Sequence, residues 1–257
     1  MIFDLSDSQE IEKHYRENGF VGVTGLFSTK ELEELEKSIE NSSFNITLEK
    51  PTFETNDIVL KSDKLLNFCF REEIIKLASK LLEAEEVEIQ HSKFNSKPID
   101  GSGAIELHQD FPFFPHTNDS LLAMGIHIDG SSLDNGCVHY YAEKDTLYDH
   151  FNDHKEFVGV ITNADEIKSE LLPFIGPKGV VSFHHCLTPH FSNPTNNVKR
   201  RLAIVQLRSA LNKQIGGPLW KCGGINISNA SEKTSKMIFN NDVREIRDLW
   251  EPKEYFQ

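Results

Sequence analysis

The sequence predicts a mainly β chain with flanking helices, folded as a double-stranded β-helix, the jelly roll of cupin-like proteins. Two observations carry that expectation. From about residue 86 onward, short β-rich segments recur between turns of Gly, Asn, Pro and Asp, as an antiparallel double sheet requires. Helical periodicity, by contrast, is concentrated in the first third. At 257 residues the chain can build one large core, and all-β barrels of this size commonly form one domain. We therefore expect a single domain over 1–257, with a helical amino-terminal part at about 1–85, a jelly-roll core at about 86–210 and a loop-rich carboxy-terminal extension at about 211–257.

The elements follow in order. Phe20 to Val23 reads as a strand. Ser28-Thr29-Lys30-Glu31 is a capping box, whose hydroxyl and carboxylate can satisfy the first free amides of a helix; Leu32, Leu35 and Ile39 continue it with an apolar stripe. Ile74 to Leu82 is a second amphipathic helix, apolar at Ile74, Ile75, Leu77, Ala78, Leu81 and Leu82. Val87-Glu88-Ile89 starts a strand beyond it, and Ile105-Glu106-Leu107 leads into His108 out of a Gly-rich loop. Further strands are expected at Leu121–Ile128, Cys137–Tyr141, Phe157–Ile161, Val180–Phe183 and Arg201–Leu207. Gly216-Gly217-Pro218 and Gly223-Gly224 mark the extension as a segment that folds over the barrel or makes a homo-oligomer contact.

Composition excludes several classes. A formal net charge of −13 argues against nucleic acid, whose phosphates require basic patches, and against anionic membrane surfaces. No apolar run approaches the length of a membrane span. Four cysteines (Cys69, Cys137, Cys186, Cys222) without a CxxC pair, and no basic-then-apolar leader, lead us to expect a reduced, cytoplasmic protein.

The chemistry is carried by His108-Gln109-Asp110, followed eighty residues later by His190 and then by Arg200-Arg201 at the start of a β-type run. Two neutral imidazoles and one carboxylate can occupy one face of an octahedral metal, leaving the opposite positions open, the arrangement of non-haem Fe(II) oxygenases. A basic residue ten or eleven positions beyond the second histidine then suits a dicarboxylate co-substrate. His127-Ile128-Asp129 is a second match, but it ends a long apolar strand at a Gly-Ser-Ser turn, where Asp129 serves as a turn residue. Strand alternation would send His108 and Asp110 to one face and Gln109 to the other. The distal histidine is one of His184, His185 and His190. If Arg200 faces inward, Leu202, Ile204 and Gln206 join it; if Arg201 does, Ala203, Val205 and Leu207 do. Lys93, Lys97, Gln90, His91 and Asn95 are further polar candidates on the strand before the Gly-rich loop, and Phe111, Phe113, Phe114 and His116 are candidates for the pocket's lip.

The blocks ELHQDFPFFPHTNDSLLAMGIHIDGSSLDNGC (106–137) and GPKGVVSFHHCLTPHFSNPTNNVKRRLAIV (176–205), with YRENGFVGVTGLFSTKELEELEKSI (15–39), resemble the phytanoyl-CoA dioxygenase (PhyH-like) family over roughly residues 8–209. The resemblance implies metal ligands at His108, Asp110 and His190. It also implies 2-oxoglutarate on Arg200 or Arg201 with help from Ser192, Lys97 being a further candidate. The cofactors implied are Fe(II), 2-oxoglutarate and O2, supported by ascorbate. The expected activity is hydroxylation of a small-molecule metabolite, with desaturation or demethylation as variants, releasing succinate and CO2. Asp110 favours oxygenation over halogenation, because related halogenases lack this carboxylate. Met124-Gly125-Ile126 replaces the family's usual tryptophan region, and Tyr141-Ala142-Glu143-Lys144 its usual Pro-Gly-Ser-His; both departures argue against an acyl-CoA substrate. The rival readings are a cupin-type metal enzyme that does not use 2-oxoglutarate and a non-catalytic metal or metabolite sensor.

Overall fold

The computed structural model describes residues 1–40, 54–97, 103–196 and 198–228. Their order is β1 (Ile2–Asp4), α1 (Ser8–Asn18), β2 (Phe20–Thr24), α2 (Thr29–Glu40), β3 (Glu54–Asn56), α3 (Asp63–Cys69), α4 (Glu72–Leu82), β4 (Val87–Lys97), β5 (Ile105–His108), β6 (Leu121–His127), β7 (Val138–Tyr141), β8 (Leu171–Pro173), β9 (Val181–His185), β10 (His190–Ser192), β11 (Arg200–Ser209) and β12 (Ile225–Asn226). Eight strands make one sheet in the order β1-β2-β9-β6-β11-β4-β12, with β3 also paired to β4. Four make the other, β5-β10-β7-β8. This is the expected jelly roll, although the two sheets are not hydrogen-bonded into a closed barrel.

Alternation along the central strands decides what each face does. On β9, Val181 and Phe183 join the main core while Ser182 and His184 line a cavity. On β6, Leu122, Met124 and Ile126 go to the core and Ala123 and Gly125 to the cavity; on β11, Ala203, Val205 and Leu207 oppose Arg200, Leu202, Ile204 and Gln206 in the same way. The apolar face is covered by the helices, whose Ile11, Tyr15, Leu35, Ile39, Ile74 and Leu77 are buried in that core. The polar face looks into the space between the sheets. Helix α2 begins with the predicted capping box: the Ser28 amide donates to Glu31 Oε2 at 2.8 Å, and the Glu31 amide to Ser28 Oγ at 3.3 Å.

The predicted strand Phe157–Ile161 does not form. Gly159, at φ 71°, interrupts the run, and the amides are satisfied by local partners: Val158 donates to His150 O and Ile161 to Leu107 O. The small sheet takes β8 as its outer strand instead. The described part of the extension covers the outer edge of β4, with β12 paired to Ile89 and Glu88 and Trp220 stacked on His91 at 3.7 Å. Residues 229–257 of the predicted extension lie outside the described residues.

Arg201 faces the helices and is 6% exposed. Its guanidinium meets Asp129 through Nη2 at 2.6 Å and Nε at 3.0 Å, and also reaches Glu36 at 2.9 Å and Glu40 at 3.3 Å. Truncating it leaves the nearly buried Asp129 carboxylate without its partner. Arg201→Ala is therefore expected to lose about 3 kcal/mol in urea unfolding, with iron affinity retained.

Candidate metal centre and its cavity

His108 closes β5, and its register partner across the small sheet is His190, the first residue of β10. Antiparallel pairing thus brings two histidines eighty positions apart to a ring-centroid distance of 4.2 Å. Each is oriented by the backbone two residues before it: His108 Nδ1 lies 2.8 Å from Glu106 O, and His190 Nδ1 lies 2.9 Å from Thr188 O. A carbonyl can only accept, so both Nδ1 atoms carry the proton and both Nε2 lone pairs are left for another partner. Burial holds both imidazoles below their ordinary pKa, His190 well below, which keeps them neutral as a metal requires.

Asp110 arrives by a different route from the one strand alternation suggests. β5 ends at His108, and Asp110 caps a short 3-10 turn over Phe111–Phe113 with helical backbone angles (φ −71°, ψ −36°). The turn is held by Gln109, which is fully buried. Its side-chain amide donates to Thr146 O and Leu187 O, its oxygen accepts from the Tyr148 amide at 2.8 Å, and its own amide donates to His150 Nε2. Gln109 therefore points away from the cavity, as expected, yet it ties the turn to two separate loops.

His108, Asp110 and His190 each offer a ligand atom, all within 4.8 Å of one another. The Asp110 carboxylate also touches His184, with Oδ2 at 3.2 Å from Nε2, and His184 Nδ1 lies 3.2 Å from the Tyr140 hydroxyl. With the proton of His184 on Nε2, the chain runs from Tyr140 through His184 to Asp110 Oδ2, leaving Oδ1 toward His108 Nε2 at 3.9 Å. Burial raises the Asp110 carboxyl, but the hydrogen bond from His184 opposes it, and the group is held well below the carboxylate range. Two neutral nitrogens and an ionised oxygen in a nearly buried triangle are the donor set a divalent iron takes, so the residues fit the metal. Tyr140 escaped the sequence reading. Its signal was the alternation of Val138 and Tyr140 on β7, which sets Tyr140 beside His190 in the small sheet and toward His184 on the other.

The remaining candidates fall on both sides of the cavity wall. Arg200 lines it, is 2% exposed, and has no hydrogen-bond partner at Nη1; burial pushes it down to about 10, so it stays charged. Ser192 lines the same end with an unpartnered Oγ. Lys97 lies beside Arg200 in the strand register, its Nζ donating to the Asn193 carbonyl. Burial, then Arg200, push its ammonium down to about 7. Lys93, Asn95 and Gln206 add polar walls, and Phe113 and Phe191 apolar ones; the volume is about 230 Å³. Phe111 and Phe114 pack with Leu121, Cys186 and Leu187 instead. Gln90 bonds Gln214, His91 sits under Trp220, His116 Nδ1 lies 2.6 Å from Phe114 O, and His185 faces the helix side beside Tyr15. The second triplet is dispersed, with His127 Nε2 on Ser182 Oγ at 3.0 Å and Asp129 on Arg201.

The family model for phytanoyl-CoA dioxygenase (PhyH) matches residues 15–203. The chain belongs to this family. Its chemical class is accordingly that of the Fe(II)- and 2-oxoglutarate-dependent oxygenases. A relative, the probable alpha-ketoglutarate-dependent hypophosphite dioxygenase of Stutzerimonas stutzeri, is 29% identical over 241 residues, covering 83% of this chain and 82% of the relative. The fold is also that of SnoN, a non-heme alpha ketoglutarate dependent epimerase from nogalamycin biosynthesis (TM-score 0.69, 18% identity, 95% and 94% of the two chains). EctD from S. alaskensis, solved with 2-oxoglutarate and 5-hydroxyectoine, is similar at TM-score 0.66 and 19% identity over 80% and 77% of the chains. No helix among the described residues is long and apolar enough to cross a membrane.

If the triangle holds the iron of this PhyH chain, each of His108→Ala, Asp110→Ala and His190→Ala removes one of three bonds, and calorimetric Fe(II) titration under nitrogen should show at least tenfold weaker binding. His127→Ala should stay within a few fold of wild type. Loss at His127 with retention at His108 would reverse the ligand assignment.

Proposed function

We propose that this chain hydroxylates a compact, polar metabolite, with iron on His108, Asp110 and His190 and the distal carboxylate of 2-oxoglutarate on Arg200 and Ser192. The observation that supports this reading is the buried Arg200 guanidinium, unpartnered at Nη1, in the same cavity as the three candidate ligands. An uncompensated buried cation is costly, and a planar carboxylate offers it a two-pronged partner. Arg201, with its carboxylates already in place, has no such demand. Lys97, next to Arg200, would strengthen the anionic preference from behind the wall. When bound, iron with 2-oxoglutarate supplies the oxidising power that splits O2, placing one atom in the substrate and one in succinate as CO2 leaves. The chain's own residues orient and exclude: Gln109 fixes the turn, His184 donates to Asp110 so that one carboxylate oxygen stays available, and Phe113 and Phe191 shield the mouth from water.

Cavity size supports the substrate class. About 230 Å³ is below the usual range of roughly 300–1,000 Å³ for ligand pockets, and the co-substrate must share the space. Acyl-CoA, the substrate type in the family's name, is therefore not our reading. The phosphorus oxyanion named for the Stutzerimonas relative is of compatible size and belongs in any test panel. Four buried, free cysteines suit a reducing compartment, and we place the enzyme in the cytoplasm.

The test is succinate formation by protein supplied with Fe(II), ascorbate, O2 and 2-oxoglutarate, in chloride and bromide buffers, across compact polar metabolites and hypophosphite. Slow turnover without substrate and acceleration by a true one are expected, with an oxygen-containing product. Arg200→Ala should raise the 2-oxoglutarate requirement about thirtyfold or more, matching a loss of about 2 kcal/mol or more for a truncated buried ion pair, while the 2-oxoglutarate requirement of the Arg201→Ala protein that remains folded should change little. Halogenated product would overturn the hydroxylase reading, and no 2-oxoglutarate consumption by iron-loaded protein would return the cupin or sensor alternatives.

A further inference from the structure

Arg200 and Lys97 face one another as the end pair of the β11–β4 ladder. Directly opposed residues of an antiparallel pair leave the same face with Cβ atoms about 4.5–5.5 Å apart, and like charges so placed repel. Both side chains are buried, at 2% and 3% exposed. Among the described residues no carboxylate lies within ion-pair distance of either one; Asp129, Glu36 and Glu40 are held by Arg201 on the opposite face. A buried charge is ordinarily paired. Here two cations lie side by side and neither is.

Lys97 is anchored by a neutral group instead. Its Nζ donates to the carbonyl of Asn193, the residue that follows Ser192 at the end of β10. The large sheet is thereby tied to the small one beside the two unpartnered atoms of this end of the cavity, Ser192 Oγ and Arg200 Nη1.

The other groups around Lys97 do not supply the missing negative charge. Burial keeps the Cys137 thiol and the Tyr140 phenol above their ordinary pKa and the His139 imidazole below its own, so all three are neutral between pH 7 and 8. Lys93 lies on the same face of β4 and adds a further positive group. On β3, Glu54 stands in register with Asn95, one pair away along the face. Burial, and then Arg200, push the Lys97 ammonium down to about 7. The unliganded protein therefore relieves the repulsion by releasing the lysine proton, while Arg200 stays charged.

We propose that Lys97 is the second cation of the co-substrate site, which stands behind Arg200, positions the end of β10 through Asn193, and takes up a proton as the distal carboxylate of 2-oxoglutarate arrives. This role presupposes Arg200 as the co-substrate anchor proposed above. The proton comes from solvent and no covalent bond changes. A carboxylate beside Lys97 favours the charged amine, so binding draws in little at pH 6, where the ammonium is already present, and most of a proton at pH 8, where it has been released. 2-Oxoglutarate itself is a dianion across that range.

Anaerobic calorimetry of the Fe(II)-loaded whole protein with 2-oxoglutarate, run at each pH in two buffers of different ionisation enthalpy, counts the protons. Wild type should take up most of a proton at pH 8 and almost none at pH 6, with about tenfold weaker binding at pH 8. Lys97→Met should take up none at pH 8 and bind at pH 6 no better than wild type does at pH 8. Lys97→Arg, whose guanidinium keeps its proton, should take up none and lose the pH dependence. Glu54→Gln should behave as wild type, and Fe(II) affinity should be unchanged in all three variants. The proposal is overturned by 2-oxoglutarate binding without proton uptake at pH 8, by uptake that persists in Lys97→Met, or by uptake lost in Glu54→Gln, each of which leaves Arg200 as the anchor. Failure of 2-oxoglutarate to bind the wild-type protein would remove the co-substrate reading and the role of Lys97 together.

Discussion

The structure around the candidate metal centre depends on keeping one carboxylate ionised where water hardly reaches it. Asp110 is 7% exposed, and a charge in that position is tolerated only with donors arranged around it. His184 supplies one from β9, and Tyr140 on the opposite sheet orients His184 in turn. Gln109 fixes the approach of the Asp110 backbone by bonding loops at Thr146, Tyr148 and Leu187. The two sheets must therefore be packed in register before the triangle exists. A metal ion taken by these three side chains would meet a site already assembled by folding, at little cost in reorganisation.

The adjacent arginines show how the same sheet assigns opposite tasks to neighbouring residues. Arg201 leaves the face that packs on the helices, where Asp129, Glu36 and Glu40 neutralise it and join α2 to the sheet. Arg200 leaves the other face with no such partner and remains charged in a cavity. Since strand side chains alternate strictly, exchanging these roles would shift every neighbouring residue of β11 to the wrong face.

Much of this was legible in the residues. The jelly roll followed from strand spacing, the capping box at Ser28–Glu31 formed as read, and the inward set of Arg200, Leu202, Ile204 and Gln206 was one of two sets alternation allowed. The failures have physical causes. Phe157–Ile161 has strand-like composition, but Gly159 and nearby carbonyls satisfy its backbone without a ladder. β4 was visible only at its first residues, because its cavity-facing positions Lys93 and Asn95 are polar and hide the period of two. The positioning roles of Gln109 and Tyr140 rest on contacts across 37 to 78 and 44 positions, which no local pattern records. Asp110 reached the expected place through a turn instead of a strand, so the geometric reason was wrong although the residue was placed with the two histidines.

The central claim is that one cavity takes iron on the triangle and 2-oxoglutarate beside it. Anaerobic addition of Fe(II) and then 2-oxoglutarate to the whole protein, followed by visible absorption, tests it most directly. The account predicts a weak charge-transfer band that requires both additions and is lost when Arg200 is replaced by alanine at the same co-substrate concentration. Tight iron binding with no spectral response to 2-oxoglutarate at any concentration would contradict it.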